Sequence, residues 1–229
     1  MKLFAGYIIG FLDLTLYFLI SFFIREKSRK LKQLPLISYY WLTMTVLTGL
    51  WETSFVLNYK PTTLYSKQLL LNHTHVWTLD YPSYYILPQN TAYIFYAEYG
   101  AYADRNYMLL HNDWSRVIES SHAFFCGLFS LFSLTFPQKH LLLGIAMGSQ
   151  LMNSLLYMTN YFNQLHEPNS INYITHEFPA GKWLSKRPFM WVNLFWTLMP
   201  SIVIVKSLIY KNITTTFDIR HQKSILHPI

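Results

Sequence analysis

The sequence predicts an all-α fold: an integral membrane bundle of five transmembrane helices with short interfacial helices, forming one domain over residues 1–229. Three observations lead there. Apolar residues gather into runs of about twenty, the length a helix needs to cross a bilayer. Hydrophobic residues make up 52% of the chain and charged residues only 13%, whereas soluble domains carry about 25% charge to keep their outer faces wet. Aromatics reach 18%, and Tyr and Trp rings favour membrane interfaces.

The elements follow in order. The first apolar run covers 3–24 and carries Asp13 in its middle. A cleavable signal peptide has a shorter apolar core and a small-residue cleavage site, so this run reads as a retained span. REKSRKLK (25–32) follows and is the densest basic cluster in the chain. Basic residues stay on the cytoplasmic side, which puts the N-terminus in the lumen. Further spans are expected at about 36–58, 117–135, 141–162 and 188–210, leaving a cytoplasmic tail at 211–229. The tail holds Lys211, Arg220 and Lys223, so the odd span count and the charge bias agree.

Two longer connections fall on the lumenal side. The first, 59–116, is rich in Tyr, Pro and Asn. A structureless loop of that length is uncommon, so short helices lying on the membrane surface are expected, 91–110 being the best candidate. Within it, Asn72-His73-Thr74 is a glycosylation acceptor pattern and a test of topology. The second, 163–187, is polar with Pro168 and Pro179.

Composition also excludes some functions. The net charge of +7 reads as topology, because the basic residues form no stripe suited to nucleic acid. Cys126 is the single cysteine, which rules out an intramolecular disulfide and a cysteine metal site. Set in an apolar run, it reads as a small buried side chain.

Ionisable groups inside membrane helices are costly and face a cavity or a partner, so they mark the place to look. Glu52 sits late in the second span, Glu119 and His122 early in the third, and Asn193 and Trp196 early in the fifth. Successive spans run in opposite directions, so all five share one depth in the lumenal half. Helical spacing adds faces: Glu119 with His122, Asn193 with Trp196, and Thr48 with Glu52. The picture is a pocket of two carboxyls, an imidazole, an amide and an indole. Burial in an apolar site favours the protonated form of a carboxyl. Such a group can give a proton to a weak base, even an alkene, and another can remove one from a neighbouring carbon. Aromatic faces stabilise the cation formed in between. The plainer reading stands beside this: the glutamates snorkel to the interface or pair with Arg105 or Arg116, and His122 is a helix–helix hydrogen-bond partner. Gln150, Asn153 and Ser154 form one stripe on the fourth span, read as interhelical hydrogen bonding, with pocket lining the alternative.

Five segments in order carry a family resemblance. WETSFVLNYK (51–60) looks like the second-span segment of the emopamil-binding protein family, the sterol 8,7-isomerases, within the wider EXPERA group. EYGAYADRNY (98–107) is similar to that family's EY-x-x-x-D-x-R-Y stretch, with one extra residue here. IESSHAFFCGLFSL (118–131) and GSQLMNSLLY (148–157) resemble the third- and fourth-span segments. FMWVNLFWTLMPSIVI (189–204) carries the N-x-x-W-x-x-x-P spacing.

The resemblance implies Glu52 and Glu119 as pocket carboxyls, with Asn193 and Trp196 as their partners. It implies a multi-pass protein of the endoplasmic reticulum that moves a sterol double bond from C8–C9 to C7–C8. Glu119, aided by His122, would donate the proton at C9. Glu52 would balance the cation or accept the proton leaving C7, and Trp196 would hold the cation by its face. Tyr99 and Tyr107 would close the pocket. Proton movement of this kind needs no metal and no organic cofactor. One departure stands out: the isomerases have a histidine one turn before the second-span glutamate, and this chain has Thr48. A hydroxyl does not carry protons near neutral pH as an imidazole does. His122, on the facing helix, is the candidate replacement.

The alternative from another class is a non-catalytic EXPERA-like protein that binds or moves sterols or cationic amphiphiles. A membrane terpene cyclase begins with the same protonation, and the Trp51-Glu52 pair fits it, but those cyclases are expected to have seven spans where this sequence predicts five. The partners are thus a sterol or cationic amphiphile and the lipid bilayer, with no nucleic acid. The sequence leaves oligomeric state open, a homodimer included.

Overall fold

The computed structural model describes the backbone of residues 3–109, 114–136 and 139–226, and side chains over 3–109, 116–136 and 140–209. The chain is helical almost throughout. β1 (Leu3–Ala5) leads directly into α1 (Gly6–Lys27), and the short α2 (Arg29–Lys32) follows. The Ser28 side chain caps α2 by accepting from Leu31 N. α3 (Leu36–Leu57) and α4 (Tyr59–Leu71) come next, then β2 (Asp80–Pro82) and α5 (Pro88–Tyr102), which starts with proline at its first position, where the missing N–H costs nothing. A π-helical turn, Trp114–Glu119, runs into α6 (Ser120–Thr135). α7 (Lys139–Gln164) and α8 (Val192–Leu226) complete the chain.

Four helical segments among the described residues are long and apolar enough to cross a membrane: Gly6–Lys27, Arg116–Thr135, His140–Gln164 and Pro188–Ile209. That is the pattern of a multi-pass membrane protein. Their outward faces carry Phe11, Phe18, Phe23, Phe125, Phe195 and Leu198, all exposed. An apolar surface of that extent on a soluble monomer would be an aggregation hazard.

The helix expected as the second span, α3, differs from these four. Its 22 residues are long enough, but it buries Ser38, Tyr39, Trp41, Thr45, Thr48, Trp51 and Ser54 inside the molecule. Packed among other helices, it turns these polar residues into the protein interior and is less apolar than the four. Tyr17 donates to Tyr40 O at 2.9 Å, and Tyr39 donates to Ser21 O at 2.6 Å, fixing α1 along it.

α3 and α6 meet backbone to backbone. Gly49 and Gly127 are so close that a methyl group added to Gly49 would lie 3.3 Å from Gly127 Cα and 3.1 Å from Ala123 O. One added to Gly127 would lie 3.1 Å from Thr45 O. Small residues permit this approach, the usual device where two helices pack without a hydrophobic driving force.

The remaining elements gather at the C-terminal end of α3. The helix expected to lie on the membrane surface at 91–110 is instead α5, and it belongs to the core: Ala92, Ile94, Tyr96, Ala97, Tyr99 and Ala101 are buried, and α5 packs on α3 and α4. Its aromatic residues fill space between helices rather than an interface. A two-stranded antiparallel ladder pairs Phe4 with Tyr81 and Ala5 with Asp80, and Gly6 N donates to Leu79 O at 2.9 Å. Arg187 is fully buried, donating to Tyr161, Asn172 O and Phe178 O. Its guanidinium lies 3.3 Å from the Phe178 ring centre, and that of Arg105 lies 3.7 Å from the same ring. The arginine nominated as a glutamate partner at 105 is therefore engaged elsewhere.

Candidate functional site

A cavity of about 270 Å³ lies among α3, α5, α6, α7 and α8. Glu52, Glu119, His122, Asn193, Trp196, Thr48, Tyr99 and Tyr107 all line it. The sequence positions chosen by depth thus come together at one place. Thr48 and Glu52 are a turn apart on α3, and Glu119 and His122 a turn apart at the head of α6, so each helix contributes one face. The Gly49–Gly127 contact holds these two faces close.

Each carboxylate is held on a defined side. Glu52 Oε1 accepts from the Tyr96 hydroxyl at 2.5 Å, and Oε2 accepts from the Ser120 hydroxyl at 2.8 Å. Glu119 is 9% exposed, and its Oε2 accepts from Asn153 Nδ2 at 3.0 Å. Ser120, bonded to Glu52, is the residue after Glu119, which makes the two carboxylates neighbours across the α3–α6 seam. His122 Nε2 lies 2.9 Å from Ser149 Oγ on α7 and 3.4 Å from Cys126 Sγ. Thr48 donates to Thr45 O at 3.1 Å, within its own helix. Cys126 is buried on the cavity wall, as its apolar setting suggests.

Two partnerships differ from expectation. Asn193, expected to orient a carboxyl or the indole, has its Nδ2 donating to the Tyr99 hydroxyl at 2.9 Å and to Met190 O at 3.1 Å. Trp196 packs edge-on against Trp41, with ring centres 5.1 Å apart. The carboxylates are served by Tyr96, Ser120 and Asn153 instead. Asn153 is visible in the fourth-span stripe, whose other members also reach across: Gln150 Oε1 accepts from Trp41 Nε1 at 2.9 Å and Ser154 donates to Trp196 O at 2.8 Å. Tyr96 and Ser120 have no signal in the sequence beyond their neighbourhood, since a hydroxyl next to an apolar run looks like any other.

Behind Tyr99 runs a buried polar chain. Its hydroxyl lies 2.6 Å from that of Tyr157, which donates to Asp104 Oδ2 at 2.5 Å. Asp104 is 0% exposed and also accepts from Asn172 Nδ2 at 2.7 Å and Asn106 N at 2.9 Å. Burial pushes the Asp104 carboxyl above its ordinary value, opposed by the hydrogen bonds from Tyr157 and Asn172. Burial likewise pushes the phenols of Tyr96, Tyr99 and Tyr107 well up, which keeps them neutral. Tyr96 stacks on Tyr107 at 5.6 Å, and Tyr107 meets Tyr99 edge-on at 5.0 Å, closing one end of the cavity.

Asp13 is 1% exposed on the packed face of α1, and its Oδ2 has no hydrogen-bond partner among the described residues. The Trp51 indole N–H, on the cavity wall, is likewise without one among them. Among the described residues no group of three or more His, Cys, Asp or Glu could hold a metal ion.

Comparison of the chain with family models, with curated proteins and with solved structures finds no match. The chemistry of the cavity therefore carries the functional reading.

Proposed function

We propose that this chain is a five-span protein of the endoplasmic reticulum membrane that isomerises a sterol double bond from C8–C9 to C7–C8. The supporting observation is that Glu52 and Glu119, from two tightly packed helices, face one aromatic-walled cavity together with His122 and Trp196. α3 supplies the fifth span, its polar residues sheltered by the four apolar helices around it. A proton passes from Glu119, with His122 beside it, to C9. The positive charge then rests at C8, near the Trp196 ring and balanced by Glu52. Loss of the C7 proton to Glu52 leaves the C7–C8 double bond, and the reaction is redox-neutral overall. Tyr96 and Ser120 hold Glu52 in place, and Asn153 holds Glu119.

A second reading has its own observation. Thr48 stands where an imidazole is expected, its hydroxyl proton is given to Thr45 O, and His122 is engaged by Ser149. With that wiring the chain binds or moves a sterol or cationic amphiphile without converting it, two carboxylates and an aromatic wall suiting a protonated amine.

Expression in cells lacking their own sterol C8 isomerase separates the two, with sterols measured by mass spectrometry. A fall in 8-ene sterols and the appearance of 7-ene products support the isomerase. Persistent 8-ene sterols with the protein present in the membrane overturn it in favour of the binding protein.

A further inference from the structure

A second recess lies on the outside of the bundle, between α1, α3 and α8, with a volume of about 520 Å³. Among the described residues its lining is Tyr, Phe, Leu, Ile, Trp and Met, with no carboxylate or cation. The Tyr17 hydroxyl is turned onto Tyr40 O and Thr43, leaving ring surface toward the groove. Met44 lines both this groove and the inner cavity.

The two spaces lie along one helix. On α3, Ile37, Tyr40 and Trp41 line the groove, Met44 lines both, and Thr48 and Glu52 line the cavity. These positions follow the three- and four-residue spacing of a single helical face. From Ile37 to Glu52 that face is about 22 Å long at 1.5 Å per residue. Met44 belongs to both linings, and the Trp41–Trp196 pair puts one ring in each. A methionine is unbranched and adapts to neighbours of different shape, which suits a movable wall.

We propose that the ligand is a membrane amphiphile bound in two parts, its polar or cationic end in the cavity beside Glu52 and Glu119 and its hydrocarbon part in the groove between α1, α3 and α8, with Met44 as the movable wall between them. The division of chemistry decides the occupant. The groove offers nothing to a polar headgroup, and the cavity's two carboxyls suit a cationic end or the ring carbons that become cationic during isomerisation. Continuity of the α3 face fixes the orientation, polar end toward α5 and hydrocarbon toward α2. This inference rests on the reading of the cavity as a ligand site.

The test uses the purified full chain in lipid nanodiscs and two photoreactive dodecyl dimethylamines, one with a diazirine beside the nitrogen and one with it at the chain terminus. The expected result is labelling of the 48–52 or 119–126 segment by the first and of Phe18, Ile37 or Met199 by the second, both abolished by excess unlabelled dodecyl dimethylamine. Met44→Trp should remove the competable groove labelling, and Met44→Ala should keep it; intact helicity of both variants by circular dichroism excludes misfolding as the cause. Competable cavity labelling with the terminal diazirine landing in 59–109 or 163–191 overturns the two-part site while leaving the ligand cavity standing. Groove labelling that excess amine does not reduce is contact with bulk lipid and also overturns it. No competable labelling in the cavity overturns the ligand reading itself, and the two-part site falls with it.

Discussion

The Ser120 hydroxyl on α6 donates to Glu52 Oε2 on α3 at 2.8 Å, so the residue that follows one carboxylate steadies the other. Removing it with Ser120→Ala leaves Glu52 held by the Tyr96 hydroxyl. A hydrogen bond to a charged group contributes about 1.5–3 kcal/mol, so the variant should keep its fold and lose ligand affinity or turnover by about tenfold or more. Turnover or amine binding equal to wild type would show that Glu52 needs no such support.

Glu119→Gln keeps an acceptor for Asn153 and loses the exchangeable carboxyl proton. In an isomerase, loss of general acid catalysis lowers turnover by about 10² to 10⁴ with ligand binding largely retained. In a binding protein the same change weakens cationic amines and spares neutral sterols. Parallel sterol turnover and amine titration distinguish the two, and no effect on either would remove Glu119 from the site.

Gly127→Leu places a branched side chain where even a single methyl group would lie 3.3 Å from Gly49 Cα. Overpacking of this kind typically costs about 1–3 kcal/mol. The variant should melt at lower temperature in detergent and lose ligand binding together with stability. Wild-type stability would mean that the two helices separate freely.

Burial raises the Asp104 carboxyl, more than the hydrogen bonds from Tyr157 and Asn172 lower it. A group whose folded value lies above its unfolded one adds stability at low pH that is lost as pH rises through the folded value. The stability of wild type relative to Asp104→Asn should therefore be greatest below the ordinary aspartate value of 3.8 and decline as pH rises above it. Thermal melts of both proteins across that window read the difference, and a flat or rising one would contradict it.

Asn72 is exposed at the end of α4, on the side of the bundle expected to face the lumen. Expression with glycosylating microsomes should add one endoglycosidase-sensitive mass increment that Asn72→Gln removes. A glycan only on the opposite, tail end of the chain would invert the topology.

Much of this arrangement is legible in the residues. The apolar runs mark the helices, and the shared depth of Glu52, Glu119, His122, Asn193 and Trp196 marks the cavity, because burying an ionisable group has a cost that sequence exposes directly. What stays hidden depends on tertiary direction. Nothing in the Tyr-rich stretch before Asp104 says that α5 turns inward rather than lying on a surface, since an aromatic ring serves a core and an interface equally well. Nor does spacing show that Asn193 reaches Tyr99 while Asn153 reaches Glu119; two amides at helical positions are indistinguishable until the helices are rotated against each other. The close approach at Gly49 and Gly127 is hidden for the same reason, because only the facing helix reveals what a small residue makes room for.

The ladder between 3–5 and 80–82 fastens one end of α1, and the Tyr39 hydroxyl fastens it again at Ser21. A rod pinned near both ends cannot swing aside like a door. Between those pins the Tyr17 hydroxyl holds Tyr40 O and Thr43, and the Phe18 ring stacks on Tyr40 at 4.7 Å, so any widening of the groove has to break these mid-helix contacts first. The release of that clasp then sets how fast the outer recess can admit a bulky guest.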